Sequence, residues 1–224
     1  ACQPKILDYN DKSRFEYAGA SGGYLDRFGY PFCRGRIFDS LEKDLGQYNS
    51  ISEVFWATGA CLFVRSSHFW KVDGLDIDFF AHQEEIDLCW RLKNNGYKVM
   101  VEPKSEVYHV GGGTLDSGSP FKTYLNFRNN LCMLFKNLPL PYLFSIIPIR
   151  LVLDGIAALT FLNKKHGFSH LFSIFKAHFS FYFQLPNLIK KRMKINQKYS
   201  HTGKMNYSII LKSKIKGIKS FSSL

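Results

Sequence analysis

Three carboxylates, Glu84, Glu85 and Asp87, stand within four residues directly after the aromatic pair Phe79-Phe80. Acids this close repel one another, so the fold must supply an offset: a helix N-terminus, a metal ion, or a proton to be moved. The run Glu84-Glu85-Ile86-Asp87-Leu88-Cys89-Trp90-Arg91 reads as the opening of a helix that ends near Asn95, with Gly96 as a left-handed C-cap. Leu88 and Leu92 share one face, and Asp87 can pair with Arg91 at the same i,i+4 spacing. Carboxylates at the head of a helix are expected to stay ionised. Further on, Val107-Tyr108-His109-Val110-Gly111-Gly112-Gly113 sets a histidine at a strand end before a glycine run. An acidic helix start and a loop histidine together suggest the wall of an active site.

The flanking sequence reads as mixed helix and strand. Residues 1–50 are rich in Gly, Tyr and Arg with little periodicity, which predicts a loop-dominated region around a cleft. Arg34 and Arg36 in that region can meet phosphate or acceptor charge, or lie in solvent. Ala60 to Val64 reads as a buried strand, with Gly59 allowing close backbone approach. Ser66 or Ser67 can cap a short helix before the Asp73-Gly74 turn. Residues 98–101 and 106–109 read as two short strands separated by Pro103, and residues 122–137 as a helix ended by Pro139 and Pro141. Between 168 and 185, apolar residues at 168, 171, 172, 175, 179, 182 and 183 oppose serines, Lys176 and Gln184, the pattern of an amphipathic helix with an aromatic face. There is no internal repeat.

The net charge of +12 belongs to one end of the chain. Thirteen of the 30 Lys and Arg lie between Gly155 and Leu224 with no Asp or Glu among them, leaving 17 basic against 18 acidic residues before that point. Such a tail can bind nucleic acid, bind anionic lipid, or stand solvated. With a near-neutral remainder and no known nucleic-acid motif, a nucleic-acid partner is not expected. Five widely spaced cysteines without a CxxC pair read as reduced thiols. His82-Gln83-Glu84 resembles the HxE of zinc deaminases but lacks the PCxxC partner, so that reading is set aside. Residues 142–160 hold ten Leu, Ile, Val or Phe, each worth roughly −0.3 to −0.6 kcal/mol on insertion, against about 5–7 kcal/mol for Arg150 plus Asp154. The balance favours an interfacial helix pair anchored by aromatics and basic residues over a forced span. The bland alternative is a helical appendage that packs its Phe face on the domain.

Several short motifs stand in a specific order: Gly59-Ala60-Cys61-Leu62-Phe63-Val64-Arg65, Gly74-Leu75-Asp76, Phe79-Phe80, Glu84 to Arg91, Gly96-Tyr97, and Val107 to Gly112. In that order the chain resembles the second half of a family 2 glycosyltransferase of the bacterial rhamnosyltransferase-like type. The resemblance implies an α/β fold: a partial GT-A domain over 1–137 with the donor-binding half absent, apolar and amphipathic helices over 138–187 against a membrane, and a basic tail over 188–224. It places Glu84 on the family's first acid and Glu85 on its second, the base that deprotonates the acceptor hydroxyl, with Glu standing where the family has Asp. Asp87 is the remaining catalytic candidate. His109 matches a histidine that helps hold a divalent cation, Mg or Mn. Trp56, Gly59, Arg65, Trp90 and Arg91 are the substrate-binding candidates, Trp56 foremost for stacking on a sugar.

The implied activity is inverting, metal-dependent transfer from a nucleotide-sugar donor to a saccharide or lipid-linked acceptor, at the cytoplasmic face of a bacterial inner membrane during surface polysaccharide synthesis. The family's Asp-x-Asp is missing before Gly59, and Asp76-Ile77-Asp78 lies too late in the chain to serve. Starting at Ala1 rather than Met, the chain is expected to be incomplete at its N-terminus. The competing reading is a non-catalytic, membrane-associated binding module that keeps the acceptor-side fold.

Overall fold

The computed structural model describes residues 1–111, 118–163, 165–198 and 201–224. The chain forms two compact units, Ala1–Gly74 with Leu88–Gly111 and Ser200–Leu224, and Leu75–Asp87 with Gly112–Tyr199. This division differs from the expected one: the helix ending at Asn137 groups with the apolar helices after it, and the final segment groups with the sheets.

The first unit is built on β1 (Cys2–Asp8), which runs parallel to β7 (Met100–His109), with β6 (Ser52–Glu53) antiparallel on β7's other edge. Five consecutive residues of β1 are buried, as in a strand covered on both faces. Lys5 lies among them and donates to Asp44 and Asn49, each at 2.6 Å. The two strands expected around Pro103 are one. Proline cannot donate to the ladder, and the register slips there: Pro4 faces Glu102, whereas Lys5 faces Glu106.

The glycine-rich stretch expected to be loops holds a four-stranded antiparallel sheet of β2 (Gly23–Leu25), β3 (Pro31–Cys33), β4 (Arg36–Ile37) and β5 (Ser40–Leu41). Both arginines expected at phosphate or in solvent are buried in it. Arg34 donates to Ser21 O (2.9 Å), and Arg36 donates to Phe38 O (3.1 Å) and lies over the Tyr17 ring.

The strand expected over 60–64 does not form. Thr58 caps a 3-10 turn at Gly59–Cys61, accepting from Ala60 N. Phe63 then pairs only with Cys2 while 62% exposed. Leu62 and Val64 pack instead on Val72, Leu88 and Leu92, so the predicted shared face of the two leucines is a core face. In the short helix α1 (Ser66–Lys71) Arg65 occupies the N-cap position without a side-chain cap bond, and both serines lie inside the helix.

From sequence the basic tail can bind anionic lipid, bind nucleic acid or stand solvated. Its last part instead docks on the first unit. Leu25 N donates to Gly203 O, Met205 N to Leu25 O, and Ile209 N to the Asp26 carboxylate. Phe221 packs against Tyr24, Phe32 and Tyr48. A Cβ at Gly203 would stand 2.4 Å from Phe55 N, so glycine is required for this approach. Aromatic burial and backbone pairing outweigh the charge, and the lysines take local partners. Lys204 lies over Trp90, and burial pushes its ammonium down to about 7 against the opposing pull of Asp26.

The second unit is helical: α3 (Pro120–Asn137), α4 (Leu140–Phe161) and α5 (Gly167–Met193). Ser119 caps α3 with Pro120 in its first turn, and Pro139 and Pro141 start α4 as much as they end α3. Arg150 and Asp154 pair at 3.2 Å, as their spacing predicts, and both are buried.

α5 bears on the two alternatives for its aromatic face, an interfacial helix or packing on the domain. Its buried seam is His170, Ile174, Ala177, Phe181 and Leu188, a narrow heptad-like stripe. Phe168, Phe172, Phe175, Phe179 and Phe183 are all more than half exposed. The aromatic face points outward, contrary to the alternative in which it packs on the domain.

Candidate active site

The approach to helix α2 (Glu84–Asn94) is strained. Asp76 caps a 3-10 turn over Ile77–Phe79, and Phe80, His82 and Gln83 then adopt φ of +64°, +68° and +70°. None is glycine, and each such residue costs about 1–3 kcal/mol unless its surroundings enforce it. The enforcing groups come from α3. Arg128 donates to Asp78 O and Phe79 O, Asn129 donates to three carbonyls of the turn, and Asn130 donates to the Gln83 side chain at 2.7 Å. Gln83 in turn donates to Asn126 O at 3.1 Å.

The turn delivers Glu84 and Glu85 half-buried at the head of α2, each with a buried Oε2 that meets no hydrogen-bond partner among the described residues. The Nε2 of His82 is buried and unpartnered in the same way. Three such atoms within four residues are unusual in a folded protein. Burial, then the neighbouring Glu84 charge, raises the Glu85 carboxyl to about 7, although the backbone N–H groups of Glu85, Ile86 and Gln83 pull it down. Glu84 is raised too, by burial, and burial with nearby Lys122 lowers the His82 imidazole. The expectation that the helix start keeps both acids ionised is thus corrected for Glu85: desolvation outweighs the helix N–H groups. A carboxylate poised near neutrality with a bare oxygen is suited to take up a proton.

Asp87, the third acid, has another role. It is fully buried, accepting from Lys136 at 2.9 Å and Asn137 at 2.8 Å. Lys136 also reaches Asp76 at 2.6 Å, and Lys191 bridges Asp76 and Asp78. These cations, against the cost of burial, hold Asp76 down at about 2. The aspartate of Gly74-Leu75-Asp76 is therefore a structural anchor.

The remaining candidates lie in the first unit. Trp56 is 4% exposed, its indole N–H donating to Tyr24 O at 3.0 Å, and Trp90 is fully buried edge-on against Phe55. Neither tryptophan presents a face to a sugar, because both fill the core beside the sheets. Arg91 is buried, its guanidinium donating to Val72 O and Gly74 O. Gly59 and Arg65 are exposed, Arg65 at the N-cap of α1.

His109, one-third exposed at the end of β7, sets Nδ1 3.2 Å from the buried Glu16 carboxylate without a well-aligned hydrogen bond. A Cβ at Gly111 would fall 2.6 Å from Glu16 Oε1, so glycine there leaves the carboxylate its room. Gly112 and Gly113 lie outside the described residues. The pair fits a cation only in part: an imidazole backed by a carboxylate is a common ligand arrangement, but no group of three potential ligands occurs among the described residues.

Arg128, Asn129, Asn130, Lys136 and Glu16 were not singled out as site residues from sequence. A signal existed for some of them: Arg128-Asn129-Asn130 puts two poor helix formers and a charge together inside a helix, where only specific bonding holds them.

No family model matches the chain. Segments of it resemble curated sugar transferases. An N-acetylglucosaminyl-diphospho-decaprenol L-rhamnosyltransferase of Mycobacterium tuberculosis is 41% identical over 56 residues, 25% of this chain and 18% of that protein. The rhamnosyltransferase WbbL of Escherichia coli is 38% identical over 98 residues, 44% and 36% of the two chains. A low-salt glycan biosynthesis hexosyltransferase of Haloferax volcanii is 25% identical over 103 residues, 44% and 34%. The chain thus spans roughly a third or less of the relatives it matches, and over those stretches the resemblance is to glycosyltransferases.

Proposed function

We propose that this chain is the acceptor-side part of a family 2, GT-A type glycosyltransferase in which Glu85 is the general base. The single observation that carries the reading is the Glu85 carboxyl, raised to about 7 with a buried and unpartnered oxygen. Glu85 takes the acceptor hydroxyl proton as that oxygen attacks the anomeric carbon. The bond from this carbon to the diphosphate oxygen breaks, the nucleoside diphosphate leaves with the electron pair, and the single displacement inverts the configuration. Glu84 remains beside Glu85, where its charge raises the basicity of its neighbour.

His109, backed by Glu16, is the imidazole this chain would offer to magnesium or manganese. Such an ion, when bound, neutralises charge on the departing diphosphate. The names of the relatives suggest an activated L-rhamnose or another hexose as donor, and an N-acetylglucosaminyl-diphospho-polyprenol as acceptor.

A membrane surface completes the reading, at the cytoplasmic face of a bacterial inner membrane. α4 is long and apolar enough to cross a bilayer, and only 28% of its most apolar window is buried. Its two charges face inward, so Phe144, Val152, Ile156 and Leu159 stand exposed, as do the phenylalanines of α5. Exposed apolar surface on this scale is otherwise rare on a protein in water.

The test is transfer by the full-length protein with a panel of nucleotide sugars and magnesium or manganese, beside a Glu85→Gln variant. Loss of transfer in the variant with donor binding intact supports the assignment. Equal activity in both removes Glu85 as base. No transfer by wild type with any donor favours a membrane-associated binding module.

A further inference from the structure

The strained turn before Glu84 is made of carbonyls that converge on one side chain. Asn129 Nδ2 lies 3.0 Å from Phe79 O, 2.8 Å from Ala81 O and 2.8 Å from His82 O. The orientation of this amide is fixed, because its Oδ1 accepts from Arg128 Nε at 2.8 Å and only the NH2 can face the turn. Asn129 is 1% exposed, so water does not replace it. The three acceptors bracket Phe80 and His82, two of the residues held at positive φ. Without a donor at this point the carbonyls would repel, and the turn would relax toward ordinary backbone angles, swinging the head of α2.

The neighbour on α3 braces the same turn. Asn130 donates to Gln83 Oε1, and its own Oδ1 accepts from Arg150 on α4. The charge that interrupts the apolar helix α4 is thereby tied through Asn130 to the residue just before Glu84. Asn129 and Asn130 touch no bare oxygen of the acid pair; they act on the backbone and on Gln83.

We propose that Asn129, braced by Asn130 and Arg150, is a positioning residue: it latches the strained 79–83 turn and so aims the Glu85 carboxylate at the acceptor hydroxyl. This rests on the reading of Glu85 as general base. An amide is required, since the site needs two donors on one planar nitrogen and one acceptor for Arg128. Aspartate has the same shape but turns a carboxylate toward three carbonyls, and serine offers a single donor that is too short.

The test compares wild type with Asn129→Asp and Asn129→Ser in two ways. The first is steady-state transfer with the nucleotide sugar found active in the panel and an N-acetylglucosaminyl-diphospho-polyprenol acceptor. The second is amide hydrogen exchange over residues 79–86. Expected is a fall in kcat of about 30-fold or more with donor KM within about twofold, and exchange at 79–86 at least tenfold faster while α3 and α5 keep their protection. Unchanged kcat with loosened exchange overturns the positioning role. Unchanged exchange overturns the latch. Should a variant lose protection throughout α3, Asn130→Asp provides the second measurement, expected to move kcat and exchange in the same directions by smaller factors. If wild type transfers no sugar, the glycosyltransferase reading fails by itself, and exchange at 79–86 still decides the latch.

Discussion

Two sets of carboxylates in one short segment meet opposite fates. Asp76, Asp78 and Asp87 are paired with Lys136, Lys191 and Asn137, and Asp76 is held down at about 2. Glu84 and Glu85, between them in sequence, each keep a buried oxygen without a partner among the described residues, and Glu85 is raised to about 7. The same helix α3 does both jobs: its C-terminal end supplies Lys136 and Asn137 to the aspartates, while Asn129 and Asn130 hold the turn before the glutamates. Anchoring acids are neutralised by pairing, and the acid proposed as base is left short of partners on a rigid turn. A mere surplus of buried charge would not sort itself this way.

The largest effect should come from removing the unpaired acid. Glu85→Gln is expected to lower kcat by about 10²–10⁴-fold, the range for loss of a general base, with chemical denaturation showing stability unchanged or slightly higher. A comparable loss of stability would mean that Glu85 belongs with the anchoring set.

Lys136→Met attacks the paired set. It takes one cation from buried Asp87 and leaves Asp76 with Lys191, and should cost about 3–5 kcal/mol of stability in urea or guanidinium unfolding. A cost near zero would show that the network adds no net stability.

The pH dependence separates the two sets by sign. Glu85 has a folded value near 7, above its ordinary value of 4.5, so its neutral form favours the folded state. That contribution is complete below 4.5 and is lost as pH rises through about 7. Asp76 has a folded value near 2, below its ordinary 3.8, so its contribution is present above 3.8 and is lost as pH falls through about 2. Each amounts to about 2–3 kcal/mol. Denaturation midpoints should therefore show opposite slopes in the two windows, and Glu85→Gln should abolish only the upper one. In parallel, kcat/KM should rise with pH to a plateau with a midpoint near 7.

The smallest effect concerns the outer face of α5. Phe179→Ser removes a ring that is 63% exposed, so stability should move by no more than about 0.5 kcal/mol. Partitioning onto vesicles containing anionic lipid should fall about tenfold, consistent with the loss of part of one aromatic's burial energy. Unchanged partitioning would remove this face from the membrane contact.

How legible this was in sequence differs by feature. The helix over 84–94 with Gly96 behind it, the common face of Leu88 and Leu92, and the Arg150–Asp154 pair could all be read directly. Each depends on neighbours within a turn or two. Trp56, Trp90, Arg34 and Arg91 could not be read, because an aromatic or arginine beside a motif looks the same whether it faces a ligand or the core. For the α5 phenylalanines the sequence left two alternatives, a membrane interface or packing on the domain, because periodicity shows that a helix has an apolar face but not what covers it.

The sequence by itself determined which groups are present and their local geometry: the crowded acids, the helix that carries them, the apolar stretch before the basic end. Those follow from short-range sterics and periodicity, which any segment carries with it. Only the tertiary structure decided which acids find cations and which stay bare, since Lys136 and Asn129 stand more than forty residues away along the chain from the groups they hold. It also decided that the last basic residues dock against aromatic side chains of the first unit rather than standing free. Desolvation and pairing are set by whatever packs alongside, and no local pattern encodes the neighbour.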